Sequence, residues 1–186
     1  KVLGYIFCNS LSYSGMFCFL SAGSIVYTGL FGVAPKHFGY FFLLNILVMM
    51  TATSLNGKFV TKIGVEKSLR LGLTIQLIAG VWLLVCGIFH LGLWATVVGV
   101  ATYVGLVSVV SSSANAAILD MYPEVAGTAN SLTGMLRFGI GSVVGMLLAL
   151  FTIDTERPMV FAMAICIVVA VISYIGLVRG EPQAHN

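Results

Sequence analysis

One charged side chain, Arg137, lies inside a long apolar stretch. Of all residues in the sequence it is the best candidate for a chemical role. It stands about ten residues into the apolar run 127–151, about 15 Å deep if the run is an α-helix that crosses a bilayer. A charge at that depth costs about 3 kcal/mol even on lenient insertion scales, so Arg137 should face a cavity or a partner. We expect it to bind an anionic or polar part of a substrate, or to neutralise a carboxylate on a helix outside this chain. The alternative is a structural arginine that caps backbone carbonyls.

Polar and aromatic side chains also share one face of the first apolar run. At about 100° per residue they fall within an arc of about 100° along the full depth of the run. They are Ser10, Tyr13, Ser14, Phe17, Ser21, Ser24 and Thr28. Such a stripe is typical of a substrate-cavity wall, and it is also typical of small residues that let two helices approach closely. We take Tyr13, Phe17 and Ser21 as candidates for substrate contact.

Two asparagines complete the candidate set, Asn45 in the second apolar run and Asn130 near Arg137 in the fifth. An amide inside hydrocarbon needs a hydrogen-bond partner, and a substrate is one candidate for that partner. For Asn115, near the end of the fourth run, we favour a hydrogen bond between helices over ligand contact.

The pattern does not favour an enzyme, a metal site or a channel. His37, His90 and His185 stand at the ends of apolar runs or in the tail, so a buried Ser–His dyad is missing, and there is no His-Glu-x-x-His motif. The four cysteines stand alone, without the spacing of a metal site. No selectivity-filter motif or ring of charges is present. We therefore predict no catalytic residue, no metal and no cofactor.

The amino-acid composition indicates that these residues are held by transmembrane helices. The 186 residues are 59% hydrophobic and only 8% charged, with a mean hydropathy of +1.06. These values exclude a water-soluble domain, which carries about 25% charged residues. A spanning helix needs about 20 apolar residues, and six runs qualify. They are 4–28, 37–56, 67–89, 93–117, 127–151 and 158–178. The predicted fold is an all-α bundle of six transmembrane helices.

Small residues in the fifth run predict close helix packing. Gly141, Gly145 and Ala149 follow one another at a spacing of four residues, which lets two backbones approach in a membrane.

Basic residues predict the orientation, since cytoplasmic loops are enriched in Lys and Arg. The segment 57–70 is decisive because it contains four of them, and Lys1 and Arg179 lie on the same side. Only Lys36 and Arg157 lie on the opposite side. We expect both termini to be cytoplasmic, with a transmembrane domain over 1–180, a tail over 181–186 and a loop over 57–66. The scattered basic residues do not indicate a nucleic-acid footprint.

Three parts of the sequence carry a family likeness. They are 15–23 (GMFCFLSAG), 38–45 (FGYFFLLN), and 126–132 (AGTANSL) followed by 137–141 (RFGIG). In these segments the chain resembles the carboxyl-terminal half of major facilitator superfamily drug exporters, above all the bicyclomycin-resistance (Bcr/CflA) group. Residues 57–64 look like a degraded second copy of the superfamily's cytoplasmic loop motif, with Thr61 where Asp is usual.

The resemblance implies a proton-coupled antiporter of the bacterial inner membrane that exports small-molecule drugs. This chain would supply helices seven to twelve and one wall of the site, while an amino-terminal six-helix half would supply the other wall and the proton site. The first, fourth and fifth helices would line the cavity, and the third and sixth would be peripheral. The runner-up is a six-helix membrane protein that acts as a homodimer, in transport or structure, and a structural role in another complex comes third.

Overall fold

The computed structural model describes residues 2–121, 123–151 and 155–179. In these ranges the chain forms six long helices and no strand, in agreement with the predicted all-α class. All six are long and apolar enough to cross a membrane. The helices are α1 (Val2–Ser24), α2 (Pro35–Ile63), α3 (Val65–Phe89), α4 (Leu93–Met121), α5 (Ala126–Ala149) and α6 (Arg157–Tyr174). The predicted tail 181–186 lies outside the described residues.

Prolines and turn residues mark the ends of the helices. Pro35 opens α2 and Pro158 is the second residue of α6, positions where the missing N–H costs no helical hydrogen bond. Wider π-helical turns extend α1 to Leu30 and α6 to Arg179.

The predicted loop over 57–66 is wrong. Helix α2 continues to Ile63, and Gly64 alone separates it from α3. Gly64 has a φ of 86°, which only glycine adopts at little cost, so the chain reverses at one residue. Lys58 and Lys62, which suggested a loop, are exposed on this part of the helix, and Phe59 and Ile63 beside them in sequence line an apolar groove.

The helices pack as two repeats of three. Helix α1 packs on α4, α5 and α6, while α4 packs on α1, α2 and α3, and α3 packs on α6. If α1, α2 and α3 exchange places with α4, α5 and α6 respectively, the same pairs of helices are in contact. Three spans begin and end on opposite sides of a membrane, so the second repeat is inverted relative to the first.

Burial differs sharply between the helices. In the most apolar window of each helix, 61% of the residues are buried in α1 and α4, but only 22% in α5 and 6% in α2. Helices α1 and α4 are therefore the centre of the bundle, and α2 and α5 present broad apolar surfaces. Helix α6 is not exposed all round, because Met159, Met163 and Ile167 are buried while Ile165 and Ile172 on its other side are exposed.

Candidate functional site

Arg137 lies against two aromatic rings where α1, α4 and α5 meet. Its guanidinium carbon is 4.4 Å from the centroid of the Tyr13 ring and 5.0 Å from that of Phe138. Its Nη1 donates a long hydrogen bond of 3.4 Å to Ser111 Oγ on α4. The negative faces of the rings attract the cation, which explains how an apolar bundle holds it.

The charge of Arg137 is only partly compensated by these contacts. The residue is the twelfth of the 24 in α5 and is half-buried. Its Nε is buried without a hydrogen-bond partner, and among the described residues Arg137 forms no ion pair with a carboxylate. A buried donor without an acceptor is costly, so this site is suited to receive an acceptor or an anionic group.

Two glycines on α5 allow the helix to approach α1. A Cβ on Gly141 would overlap the Phe17 ring, and one on Gly145 would lie 2.7 Å from Ser21 Oγ. The Phe17 ring also packs edge-on against Phe138, with the centroids 6.0 Å apart. Phe17 and Ser21 therefore lie along the same α1–α5 contact as Arg137. Ala149, the third residue of the small-residue series, is exposed.

The two candidate asparagines lie apart from this cluster. Asn45 is buried beside a small apolar cavity of about 40 Å³, whose lining includes Met16, Phe42 and Val104. Its Nδ2 has no hydrogen-bond partner among the described residues. Asn130 is exposed, two turns before Arg137 on α5. The structure thus groups Tyr13, Phe17, Ser21 and Arg137, and places Asn45 and Asn130 elsewhere.

Sequence reasoning missed a buried polar network at the centre of the bundle. The hydroxyl of Ser12 on α1 donates to Gln76 Oε1 on α3 at 2.8 Å, and Gln76 Nε2 donates to the Tyr103 carbonyl on α4 at 3.4 Å. Gln76 is isolated in an apolar run, where the sequence gives no sign of its partners. Asn9 Nδ2 donates to Asn115 Oδ1 at 3.4 Å, which confirms the expected role of Asn115.

A second polar cluster joins α2, α3 and α4 near the Gly64 turn. The hydroxyl of Ser68 donates to Asn56 Oδ1, and Asn56 Nδ2 donates to the hydroxyls of Ser112 and Ser113 at 3.2 and 3.4 Å. These contacts satisfy a buried amide inside the bundle.

Acidic residues do not approach Arg137 in the described ranges. Glu66 is bound to Arg70 on its own helix, and Asp120 and Glu124 are exposed. Glu156 is buried just before α6, where its Oε1 lies 3.3 Å from His90 Nδ1. Glu156 lies between the fifth and sixth predicted runs, and its contact with His90 joins the ends of α3 and α6. Asp154 lies outside the described residues.

A groove beside α1 lies on the side away from Tyr13. An apolar groove of about 570 Å³ lies between α5 and α6, with Leu11 of α1 in its wall. Leu11 and Tyr13 are about 200° apart on the helix, so the groove and the Arg137 cluster lie on different sides of α1.

Comparison with known proteins agrees with this architecture. A family model described as Major Facilitator Superfamily matches residues 5–186. The chain is 48% identical over 174 residues to a protein named bicyclomycin resistance protein homolog from Haemophilus influenzae. That match covers 94% of this chain and 44% of the relative. No solved structure matches the chain significantly.

A more distant relative is an uncharacterised MFS-type transporter, YdgK, of Bacillus subtilis. It is 27% identical over 177 residues, which cover 95% of this chain and 44% of the relative. The chain therefore spans less than half the length of both curated relatives.

Proposed function

The chain belongs to the Major Facilitator Superfamily of membrane transporters, and we propose that it is the carboxyl-terminal half of a drug exporter of the bacterial inner membrane. The inverted three-helix repeats are those that the superfamily nests within each six-helix half. The likeness to a protein named for bicyclomycin resistance supports a drug as substrate.

The observation that carries this proposal is the Arg137 cluster. A transport site near the bilayer midplane needs polar groups that are not already satisfied within the protein, and Arg137 Nε is one. Its side chain binds a polar or anionic part of the drug, while Tyr13 and Phe17 provide apolar contact that tolerates varied structures. Ser21 lies one turn further along the same contact. Asn45 and Asn130 contribute amide groups to other parts of the substrate path.

A second six-helix half completes the site. Helices α2 and α5 present large exposed apolar side chains, such as Tyr40 and Met50 on α2 and Met135 and Met146 on α5. We assign part of this surface to contact with the amino-terminal half and the rest to lipid. Rocking of the two halves then exposes the Arg137 cluster to each side of the membrane in turn.

Proton coupling is assigned to the amino-terminal half. The described carboxylates of this chain are exposed or bound to Arg70 or His90, and they do not approach Arg137. Exchange requires that drug and proton exclude each other. We therefore place in the other half an acid that releases its proton when the drug binds and takes one up when the drug leaves.

Drug exchange is tested with the full-length transporter that contains this chain, in everted membrane vesicles. Bicyclomycin is added after respiration has acidified the lumen, and a pH-sensitive dye reports proton release. We expect a drug-dependent loss of the pH gradient in wild-type vesicles and not in vesicles with Arg137→Ala. Equal responses with and without the transporter would contradict drug:proton exchange.

A further inference from the structure

A lateral groove lies between α2 and α3, near the Gly64 turn. Its volume is about 280 Å³. Leu55 and Phe59 of α2 form one wall, Leu71 and Ile75 of α3 form the other, and Val109 of α4 forms part of the base. Phe59 and Leu71 are each 54% exposed, so the walls remain open to the surroundings of the helices.

The groove offers apolar contact to an occupant, because the polar groups at its base bond one another. Asn56 and Ser68 line it, and they are the members of the α2–α3–α4 cluster that bond each other and serines of α4. An occupant therefore needs no polar groups along the groove.

The groove is separate from the Arg137 cluster. Leu106 and Val109 of α4 line the groove, whereas Ser111 contacts Arg137. At about 100° per residue, Ser111 lies on the opposite face of α4. An occupant of the groove would not touch Arg137.

Two lysines stand next in sequence to lining residues at the Gly64 end of the groove. Lys62 directly precedes the lining residue Ile63, and Lys67 directly precedes Ser68. Both lysines are exposed, and within the described ranges neither is paired with a carboxylate. Glu66, the one acid between residues 57 and 70, is bound to Arg70 instead.

We propose that this groove binds one acyl chain of an anionic phospholipid, with its phosphate between Lys62 and Lys67. Basic pockets between helices at a membrane surface are suited to anionic headgroups. The two lysines favour a lipid over an apolar transmembrane helix, because such a helix would leave their charges, unpaired in the described ranges, without a partner. A flexible hydrocarbon chain matches both the narrow volume and the apolar walls.

The test is native mass spectrometry of the purified full-length transporter, titrated with phosphatidylglycerol or phosphatidylcholine. We expect one retained phosphatidylglycerol and much weaker retention of phosphatidylcholine. The double variant Lys62→Ala, Lys67→Ala should bind phosphatidylglycerol about thirtyfold more weakly, since each basic residue near an anionic surface contributes about 1 kcal/mol. Ala52→Phe, which fills the groove, should reduce the retention of both lipids.

The matched control is Lys36→Ala, an exposed lysine at the other end of α2, which should leave binding unchanged. Thermal unfolding of each variant separates lipid loss from misfolding. Equal retention of the two lipids, or retention unaffected by the double variant in a folded protein, would overturn the proposal. Loss of binding with Lys36→Ala as well would overturn this location.

Discussion

Arg137 on α5 and Tyr13 on α1 form a cation–π pair, with the guanidinium carbon 4.4 Å from the ring centroid. The pair joins two helices in the middle of the bundle, where a carboxylate would neutralise the arginine completely. An aromatic face attracts the cation and still leaves its hydrogen-bond donors for other groups. This arrangement is suited to a charge that must bind and release a ligand.

The ring of Tyr13 should matter more than its hydroxyl. Tyr13→Phe keeps the π face and should retain bicyclomycin efflux. Tyr13→Leu removes the aromatic face that we propose contacts the drug, and it should weaken apparent drug affinity about tenfold, or about 1.4 kcal/mol. Efflux rates over a range of drug concentrations, with matched transporter levels in the membrane, measure the difference. Equal loss in both variants would show that the hydroxyl, and not the ring, is the contact.

Gly141 should be essential for the approach of α5 to α1. Gly141→Ala places a methyl group into the Phe17 ring and should destabilise the protein by about 1–3 kcal/mol. Gly139→Ala is the matched control, because a Cβ there meets nothing within 4 Å. Thermal unfolding of the purified full-length transporter should show a lower midpoint for Gly141→Ala only. Similar midpoints for the two variants would contradict the observed α1–α5 contact.

Gln76 should stabilise the centre of the bundle. Gln76→Leu leaves the Ser12 hydroxyl without its acceptor and should cost about 1 kcal/mol, a typical value for hydrogen bonds between membrane helices. Ser131→Ala is the control, because Ser131 is exposed and donates to the Gly127 carbonyl of its own helix. Unfolding midpoints in detergent compare the two. A more stable Gln76→Leu protein would mean that hydrophobic packing outweighs this network.

The Gly64 turn should lie on the cytoplasmic side. In a full-length transporter whose native cysteines are replaced, Lys62→Cys should react with a membrane-impermeant maleimide only in everted vesicles. Lys36→Cys at the opposite end of α2 should react in intact cells, because only Lys36 and Arg157 mark that side. The reverse labelling pattern would place both termini outside.

Much of the fold could be predicted from the sequence because hydrocarbon imposes simple demands. The length of the apolar runs indicates six helices, and the position of Arg137 within its run indicates depth. The end of α2 could not be predicted, since an exposed charged helix and a loop share the same composition between residues 57 and 63. The backbone of the structure distinguishes them, since residues 57–63 are helical and the turn is at Gly64.

The candidate site was only partly predictable for a related reason. The angular positions of residues around one helix follow from their spacing in the sequence, so Tyr13, Phe17 and Ser21 could be placed on the same face. Contacts between helices depend on their arrangement, which one sequence does not provide. The partners of Gln76 and the separation of Asn45 from Arg137 depend on how the two inverted repeats pack. The amino-acid sequence shows no repeat that would have indicated this packing.

Contact between Arg137 and the drug can be measured by equilibrium binding. Radiolabelled bicyclomycin is titrated against purified full-length transporter, wild type and with Arg137→Ala, Arg137→Lys or the control Ser131→Ala. We predict a Kd raised at least about tenfold by Arg137→Ala, and raised also by Arg137→Lys, because an ammonium lacks the planar contact with two aromatic faces. The unfolding midpoint of each variant shows whether the protein used in the titration is folded. An unchanged Kd in a folded Arg137→Ala protein would show that Arg137 does not contact the drug.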